Sequence, residues 1–474
     1  MSTCAVPPSD LDRSTGWGAR VSGTGIPVPV ISGADVPFTN LDNAASTPPV
    51  LAALDAVARL APVYSNVHRG SGYKSRLSSR LYDSARARVG RFVGADPSQV
   101  TLFTRNTTES INHVARKLQL DMGDVIITTM MEHHSNDLPW RRVAQVVHVA
   151  VNSAGDVDES DLRAQLERHR GRVAILAVTG ASNVTGHLNP IHTWAEWAHQ
   201  AGTMILVDAA QLAAHRPIAM LPLDDPGHLD FLAFSAHKLY APFGIGVLIG
   251  PREFLALGDP AEVGGGTVEM VSADRVEWAG LPDREEAGTP CVAGAVALAQ
   301  SLDELERIGW DDLIAHETAL TAQLIRTLSA IPGLTVYGSP EAERIGVIAF
   351  NLAGIPHALV AAILSCEWGI GVRSGCFCAH PYVKQLLGVS DLESRIIEAR
   401  IRDGDRGSIP GAVRVSLGIH NTEADIRRLE QALLAIASGH HDRRYRLDRS
   451  TGDYAHPVWE ARLEGILSGA RASS

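Results

Sequence analysis

Seven short apolar runs in the middle of the chain constrain its fold more than any other feature. They fall at residues 100–103, 125–129, 146–151, 173–178, 204–207, 231–234 and 245–249. Each is strand-length, and several are separated by stretches with helical periodicity. Residues 109–120, for example, place Ile111, Val114, Ala115 and Leu118 on one face. Strands that are apolar throughout and alternate with helices belong to sheets covered on both sides. The pattern predicts an α/β fold: a large domain around a mostly parallel seven-stranded sheet. Ligands of such sheets bind beyond the carboxyl ends of the strands. The large domain is expected over residues 36–295, after an N-terminal arm, 1–35, that is rich in Pro, Gly and Ser. Helical periodicity over 292–308 and 313–331, then short strands near 335–337 and 346–352, predict a smaller α+β domain over 296–437. The N-terminal segment is a candidate to join it. A polar tail, 438–474, is expected to be partly ordered against the body.

Two of the seven runs end on chemically useful residues. The run at 231–234 passes directly into Ser235, Ala236, His237 and Lys238. The run at 204–207 ends at Asp208, with Gln211 close behind. A lysine after a strand is ordinarily a surface residue. At the mouth of a buried strand, however, it is dehydrated and can lose its proton, which frees it to form a Schiff base. A neighbouring strand that delivers a carboxylate completes a pair suited to pyridoxal phosphate. The lysine holds the aldehyde, and the aspartate keeps the pyridinium nitrogen protonated.

Other stretches carry weaker signals. Residues 104–109 (TRNTTE) lie between a strand and a helix, where hydroxyls and free amides either cap the helix or bind an anion. In 131–136 (MEHHSN) an imidazole is placed to lie flat on a heterocycle. The adjacent His133 and His134 are poorly placed to share a metal, because neighbours on an extended chain point apart. Asn183, in SNVTG, offers an amide to a ring hydroxyl or a substrate. His68 and Arg69, in the glycine-rich loop 65–72, either reach an anionic ligand or sit in a plain connector. The run 244–250 (GIGVLIG) lies within a strand and opens no helix, so it is not a dinucleotide loop. Residues 372–381 (VRSGCFCAHP) place Cys376 and Cys378 between Arg373 and His380. A zinc site would need a second ligand pair, and Cys4, Cys291 and Cys366 are scattered singly, so no metal is expected. The two thiols are then either buried and inert or stabilised as thiolate by the flanking cations.

Composition excludes other classes of function. With a net charge of −11 and no basic run before the tail, nucleic acid is not an expected partner. No apolar run is long enough to cross a bilayer, and residues 1–10 lack the features of a secretory signal. Five cysteines in 474 residues suit a reducing cytoplasm rather than a disulfide framework.

Taken in order, the stretches LDNAAST, NVHRG, NTTESIN, MEHHSN, SNVTG, VDAAQ, FSAHKLY, GGGTV, EAGTP, RSGCFCAHP and RVSLG resemble the pyridoxal-phosphate-dependent class V aminotransferase superfamily. The likeness is closest to its cysteine desulfurase/selenocysteine lyase branch and spans residues 41–437. It implies the type I fold of pyridoxal-phosphate-dependent transferases and a role for each matching position. Lys238 would bind the cofactor covalently, His133 would stack on its ring, and Asp208 would pair with the ring nitrogen. Gln211 and Asn183 would contact the ring hydroxyl or the substrate. Thr107, Thr108, Ser235 and His237 would hold the phosphate. Thr289 would reach the phosphate in a second subunit, which implies a homodimer with shared active sites. His68, Arg69, Asn183, Arg373 and Arg414 form the substrate-binding set, with Arg414 on the substrate carboxylate. Cys378 matches the cysteine that accepts sulfur as a persulfide, and a sulfur-acceptor protein is the implied partner.

The implied reaction converts L-cysteine to L-alanine. The alternatives are β-elimination from an S-conjugated cysteine, another reaction of the superfamily on a related amino acid, and an inactive scaffold. Three departures stand out. Cys376 and Phe377 replace the usual histidines. Glu285 replaces an aromatic. A charged insertion at 392–409 is expected to lie over the mouth of the site.

Overall fold

In the computed structural model, residues 16–472 are described; Cys4 and the rest of residues 1–15 lie outside that range. All seven apolar runs are strands of one sheet. In chain order, the first part of the molecule is built from α1 (Leu51–Leu60), α2 (Tyr73–Phe92), β1 (Gln99–Thr104), α3 (Thr107–Lys117), β2 (Val125–Thr129), β3 (Gln145–Val149), α4 (Glu159–Arg168), β4 (Val173–Thr179), α5 (Ile191–Ala201), β5 (Met204–Asp208), β6 (Phe231–Ser235) and β7 (Gly246–Pro251). The strand order is β1-β7-β6-β5-β4-β2-β3. β7 is antiparallel to both its neighbours, and every other pair of adjacent strands is parallel.

The strands are apolar throughout because both faces are covered. Alternate residues enter opposite cores: Ile126, Ile175, Leu206 and Phe231 pack on one side. Ile127, Leu176, Val207 and Leu232 pack on the other. Side chains of a strand alternate between faces, so two-sided burial removes the polar half of the usual pattern. Each fully buried Leu, Ile or Phe contributes about 1.5–3 kcal/mol relative to exposure.

Helices α6 (Val292–Ile308) and α7 (Trp310–Ala330) lead to a second sheet. It contains β8 (Leu334–Val336), β9 (Val347–Leu352), β10 (Arg373–Gly375) and β11 (Ala412–Ser416), in the antiparallel order β8-β9-β11-β10. Residues 373–375 form its edge strand. A separate core, including Leu324, Ile348, Phe350, Ile363, Val413 and Leu429, lies against this sheet.

The N-terminal segment is not loose from residue 16 onward. Residues Pro27–Pro29 and Asp35–Pro37 pair as a hairpin. Ile31 N donates to Cys366 O at 2.9 Å, Thr39 N to Gly369 O at 3.0 Å and Leu41 N to Gly371 O at 2.8 Å. The tail is also tied down: Tyr445 Oη donates to Glu367 at 3.0 Å, and Arg462 Nη1 donates to Val30 O at 2.6 Å.

The charged insertion does not lie over the mouth of the site. Its helix, Asp391–Arg402, has no buried residue. The chain beyond that helix turns to the tail, where Asp405 pairs with Arg449 at 2.7 Å and Arg406 N donates to Arg449 O at 2.7 Å. No helix among the described residues is long and apolar enough to cross a membrane.

Glu285, the acid in place of an aromatic, is fully enclosed. It contacts Lys117 Nζ at 2.8 Å and His113 Nε2 at 2.9 Å, and accepts from Ala261 N at 3.0 Å. Burial pushes its pKa up, but His113, the Ala261 amide and Lys117 outweigh that and hold it below the usual value. Removing one member of a buried ionic cluster strands the others. Glu285→Ala should therefore destabilise the protein by about 3–5 kcal/mol in denaturant titrations. A Glu285→Leu/Lys117→Met pair should recover most of that loss. A single-variant loss below about 1 kcal/mol, the size of an exposed pair, would show that the cluster is not a stabilising unit.

Candidate active site

β5 and β6 are adjacent and parallel, with Asp208 in register with Ala233. Both strands stop at the same edge of the sheet. After Ser235 the chain makes a single tight turn, Ala236–Lys238, which carries Lys238 past the strand end. Asp208 and Lys238 therefore line one cavity of about 300 Å³. Asp208 Oδ1 accepts from Ala210 N at 2.9 Å. Burial raises the Asp208 pKa, opposed by that amide and by Lys238. Burial, aided by Arg414 and opposed by Asp208, lowers the Lys238 pKa to about 8.

At another part of the cavity wall, the α3 N-terminus presents Thr107 and Thr108. Asn106 caps the helix by accepting from Glu109 N at 3.0 Å. Thr107 Oγ1 lies 2.6 Å from Ser235 Oγ, and Thr107 N donates to the same oxygen at 2.8 Å. Thr108 Oγ1 lies 2.7 Å from Ser135 Oγ. Gly246 makes this arrangement possible, since a Cβ there would sit 2.5 Å from the Asn106 backbone. This packing, rather than a dinucleotide, accounts for that glycine of the 244–250 run. His237 lines the same wall, and burial and then Lys238 lower its pKa to about 4.

His133 lies in the cavity wall as a neutral ring. Its Nδ1 accepts from Ser135 N at 3.1 Å, which leaves the ring proton on Nε2. Burial and then Lys238 lower its pKa to about 3. His134 points away, with its ring stacked on His380 at 4.8 Å between centroids. The two adjacent histidines diverge as their positions on the chain predict. Gln211 Nε2 donates to Ala44 O at 2.9 Å.

Beneath the cavity lies a carboxylate that sequence reasoning missed. Glu132 accepts from Thr129 Oγ1 at 2.7 Å, Asn136 Nδ2 at 2.7 Å and Thr179 N at 3.0 Å. Burial pushes its pKa up to about 8. It ties the ends of β2 and β4 together. Nothing in MEHHSN distinguishes it from a surface acid.

The cysteine loop enters from the smaller sheet. Phe377 and Cys378 have φ of 51° and 54°, a left-handed conformation that costs a non-glycine residue roughly 1–2 kcal/mol. Tertiary contacts hold it: Asn183 Nδ2 donates to Phe377 O at 2.7 Å, and His134 N donates to Cys378 O at 2.7 Å. Cys378 is exposed and lines the cavity. Cys376 is buried and aimed elsewhere, with Sγ donating to Pro410 O at 2.7 Å. Burial pushes its pKa up to about 11.

Arg414 lies within β11, buried, with Nη1 donating to Asn183 O at 2.9 Å and Nη2 to Asp42 at 3.1 Å. Its guanidinium carbon stands 5.0 Å from the Phe377 ring centroid, and its Nε has no hydrogen-bond partner. Arg373 approaches the other Asp42 oxygen at 3.5 Å. No residue of the 392–409 insertion lines the cavity.

Three expected site residues are not in this cavity within one chain. His68, Arg69 and Thr289 line a separate concavity of about 590 Å³, together with Gly265, Gly266 and Glu286. His68 is drawn there by Asp83 at 3.1 Å, and Arg69 donates to Val268 O at 3.3 Å. Within one chain, His68 and Arg69 therefore do not meet the residues that line the Lys238 cavity.

Comparisons with known proteins give the family of the chain. Residues 39–429 match the family model for class V aminotransferases. A probable cysteine desulfurase of Halalkalibacterium halodurans is 35% identical over 406 residues, covering 84% of this chain and 92% of its own. A cysteine desulfurase of Cronobacter sakazakii is 37% identical over 410 residues, covering 84% and 93%. The apo structure of a cysteine desulfurase from Thermococcus onnurineus NA1 superposes with a TM-score of 0.75 at 31% identity. It covers 85% of this chain and 95% of that one.

Proposed function

Because this chain belongs to the class V aminotransferase family, a family of pyridoxal-phosphate enzymes, we propose that it cleaves the carbon–sulfur bond of L-cysteine, releasing L-alanine and leaving the sulfur as a persulfide on Cys378. The observation that carries this reading is the Cys378 thiol on the wall of the cavity that also holds Lys238 and Asp208.

The donor set fits the cofactor. Thr107, Thr108, Ser235 and His237, beside a helix N-terminus, suit its phosphate. Asp208, buried and without a cationic partner in direct contact, suits the ring nitrogen. The flat neutral ring of His133 suits its face, and the Gln211 and Asn183 side chains suit its hydroxyl. Lys238 is the amine to hold the aldehyde. When bound, the group supplies an electron sink for charge developing at the substrate α-carbon.

The remaining chemistry belongs to the chain. Arg414 and Arg373 receive the substrate carboxylate at the position where Asp42 now neutralises them. The neutral amine of Lys238 takes the α-proton and later returns a proton to carbon. The Cys378 thiolate attacks the substrate sulfur. A sulfur–sulfur bond forms, the carbon–sulfur electron pair returns to carbon, and protonation there completes alanine. Cys376 does not resolve the persulfide, because its thiol is buried and committed to Pro410 O.

His68, Arg69 and Thr289 act across a homodimer, with Thr289 reaching the phosphate in the partner's site. The exposed persulfide is handed to an acceptor protein. Free Cys291, Cys366, Cys376 and Cys378 suit a cytoplasmic setting.

Incubation of the holoenzyme with L-cysteine and S-substituted cysteines, followed by product identification, tests the reaction. Alanine and protein-bound sulfur from free cysteine are the expected products. Pyruvate and ammonia in their place would establish β-elimination, and absence of any turnover would favour a scaffold.

A further inference from the structure

We propose that the chain carries a zinc-class divalent cation site, formed by His199, His228 and Asp230, at the sheet edge opposite the active site. His199 lies in the last turn of α5, and Asp230 immediately precedes β6, the strand that delivers Lys238 at its far end. The ligating atoms of all three side chains lie within 4.8 Å of one another.

The hydrogen bonding makes this cluster a site rather than a chance grouping. His199 Nδ1 lies 2.7 Å from Pro226 O, and His228 Nδ1 lies 2.7 Å from Asp225 O. A carbonyl only accepts, so both Nδ1 atoms carry the proton. Both Nε2 atoms therefore face one carboxylate; His199 Nε2 donates to it when the ring is charged, which Asp230 favours, and offers a lone pair when the ring is neutral. His199 Nε2 stands 3.0 Å from Asp230 Oδ2, and His228 Nε2 stands 3.6 Å from Oδ1. A divalent cation can take the place of the proton between these nitrogens and the carboxylate, because the three ligating atoms already converge. Imidazoles oriented by Nδ1–H···O=C contacts are the usual second shell of a histidine metal site. Asp230 is oriented as well, since Ile205 N donates to its Oδ2 at 2.8 Å.

Two imidazole nitrogens and one carboxylate oxygen suit zinc, with water in the fourth position. Ligands about 2.0–2.1 Å from a tetrahedral ion lie about 3.3 Å apart, between the two separations observed. The imidazoles are stacked 4.2 Å apart with 19° between their planes. A shared ion requires His228, the more distant ligand, to tilt about its Nδ1 anchor until the lone pairs converge. Both rings are partly open to solvent, which provides the entry path. A bound ion would clamp α5 and the 225–230 turn to the start of β6.

Equilibrium dialysis of the holoenzyme against zinc chloride, with metal counted by mass spectrometry, tests the site. All proteins carry Cys291→Ser and Cys378→Ser, which remove both exposed thiols among the described residues as competing ligands. The expected result is roughly one ion per chain and a higher thermal midpoint with zinc. Affinity should fall roughly tenfold or more in both the His199→Ala and the His228→Gln variants. Retention of the cofactor colour by each variant checks its folding without metal. Zinc affinity unchanged in either folded variant, or no stoichiometric binding to the parent, overturns the proposal.

Discussion

Cys378→Ala protein will keep its cofactor and its colour, and will release alanine from L-cysteine at a rate lowered roughly a thousandfold or more, as for loss of a covalent nucleophile. The two effects separate because Cys378 stands on the rim of the cavity, whereas the residues suited to the cofactor come from the large sheet and α3. The backbone at Phe377 and Cys378 is left-handed and is fixed by Asn183 and the His134 amide. Alanine keeps a Cβ at that position, so the loop is not released as it would be by glycine. Cys378→Ser, which preserves shape as well, should lose as much. Cys376→Ser should retain most of the activity, because that thiol points to Pro410 rather than into the cavity. The measurements are alanine by chromatography and persulfide by mass of the intact protein. Alanine formed by Cys378→Ala at the parent rate would remove Cys378 from the mechanism.

Lys238→Ala should be as severe, with turnover down by about two to four orders of magnitude, the range for loss of a positioned acid–base group. Borohydride should no longer fix the cofactor to the chain. The pH dependence of the wild-type protein distinguishes a tuned amine from an ordinary one. An ordinary lysine, at 10.5, gains roughly tenfold in neutral amine per pH unit through pH 9. Lys238, lowered to about 8, is roughly one-tenth neutral at pH 7 and half neutral at pH 8. The neutral form is the nucleophile, so its reactivity rises with pH until the folded pKa is passed. Capture of pyridoxal phosphate by the apoprotein should therefore accelerate about fivefold from pH 7 to 8 and level off above pH 9. A rate still climbing tenfold per unit at pH 9 would show that burial does not tune this amine.

How much of the site is legible along the chain depends on what each residue adjoins. Asp208 and Lys238 end apolar runs, so their location at a strand mouth follows from local pattern alone. Glu132 does not stand out, because its meaning comes from Thr129, Asn136 and the Thr179 amide, the last 47 positions away. Asp42 likewise gains significance only from Arg414 and Arg373, which reach it from the other end of the chain. The ends of the His199, His228 and Asp230 cluster are 31 positions apart, with no motif spacing. His68 and Arg69 read as ligands in sequence, but in the fold they face a different concavity.

The order of strands in the large sheet and its two-sided burial were determined to different degrees by the chain itself. Composition of the runs required burial on both faces, because a strand without polar alternation has no face to give to water. Apart from the pair that delivers Asp208 and Lys238, expected to be neighbours from their chemistry, which strands adjoin was left open, since apolar side chains pair without preference for distant partners. Tertiary structure decided that β7 lies antiparallel between β1 and β6, that an insertion rich in charge turns outward to the tail, and that one of two similar thiols meets the cavity. Those outcomes depend on contacts between segments from tens of residues to more than two hundred apart, and such contacts leave no periodicity for a local reading to detect.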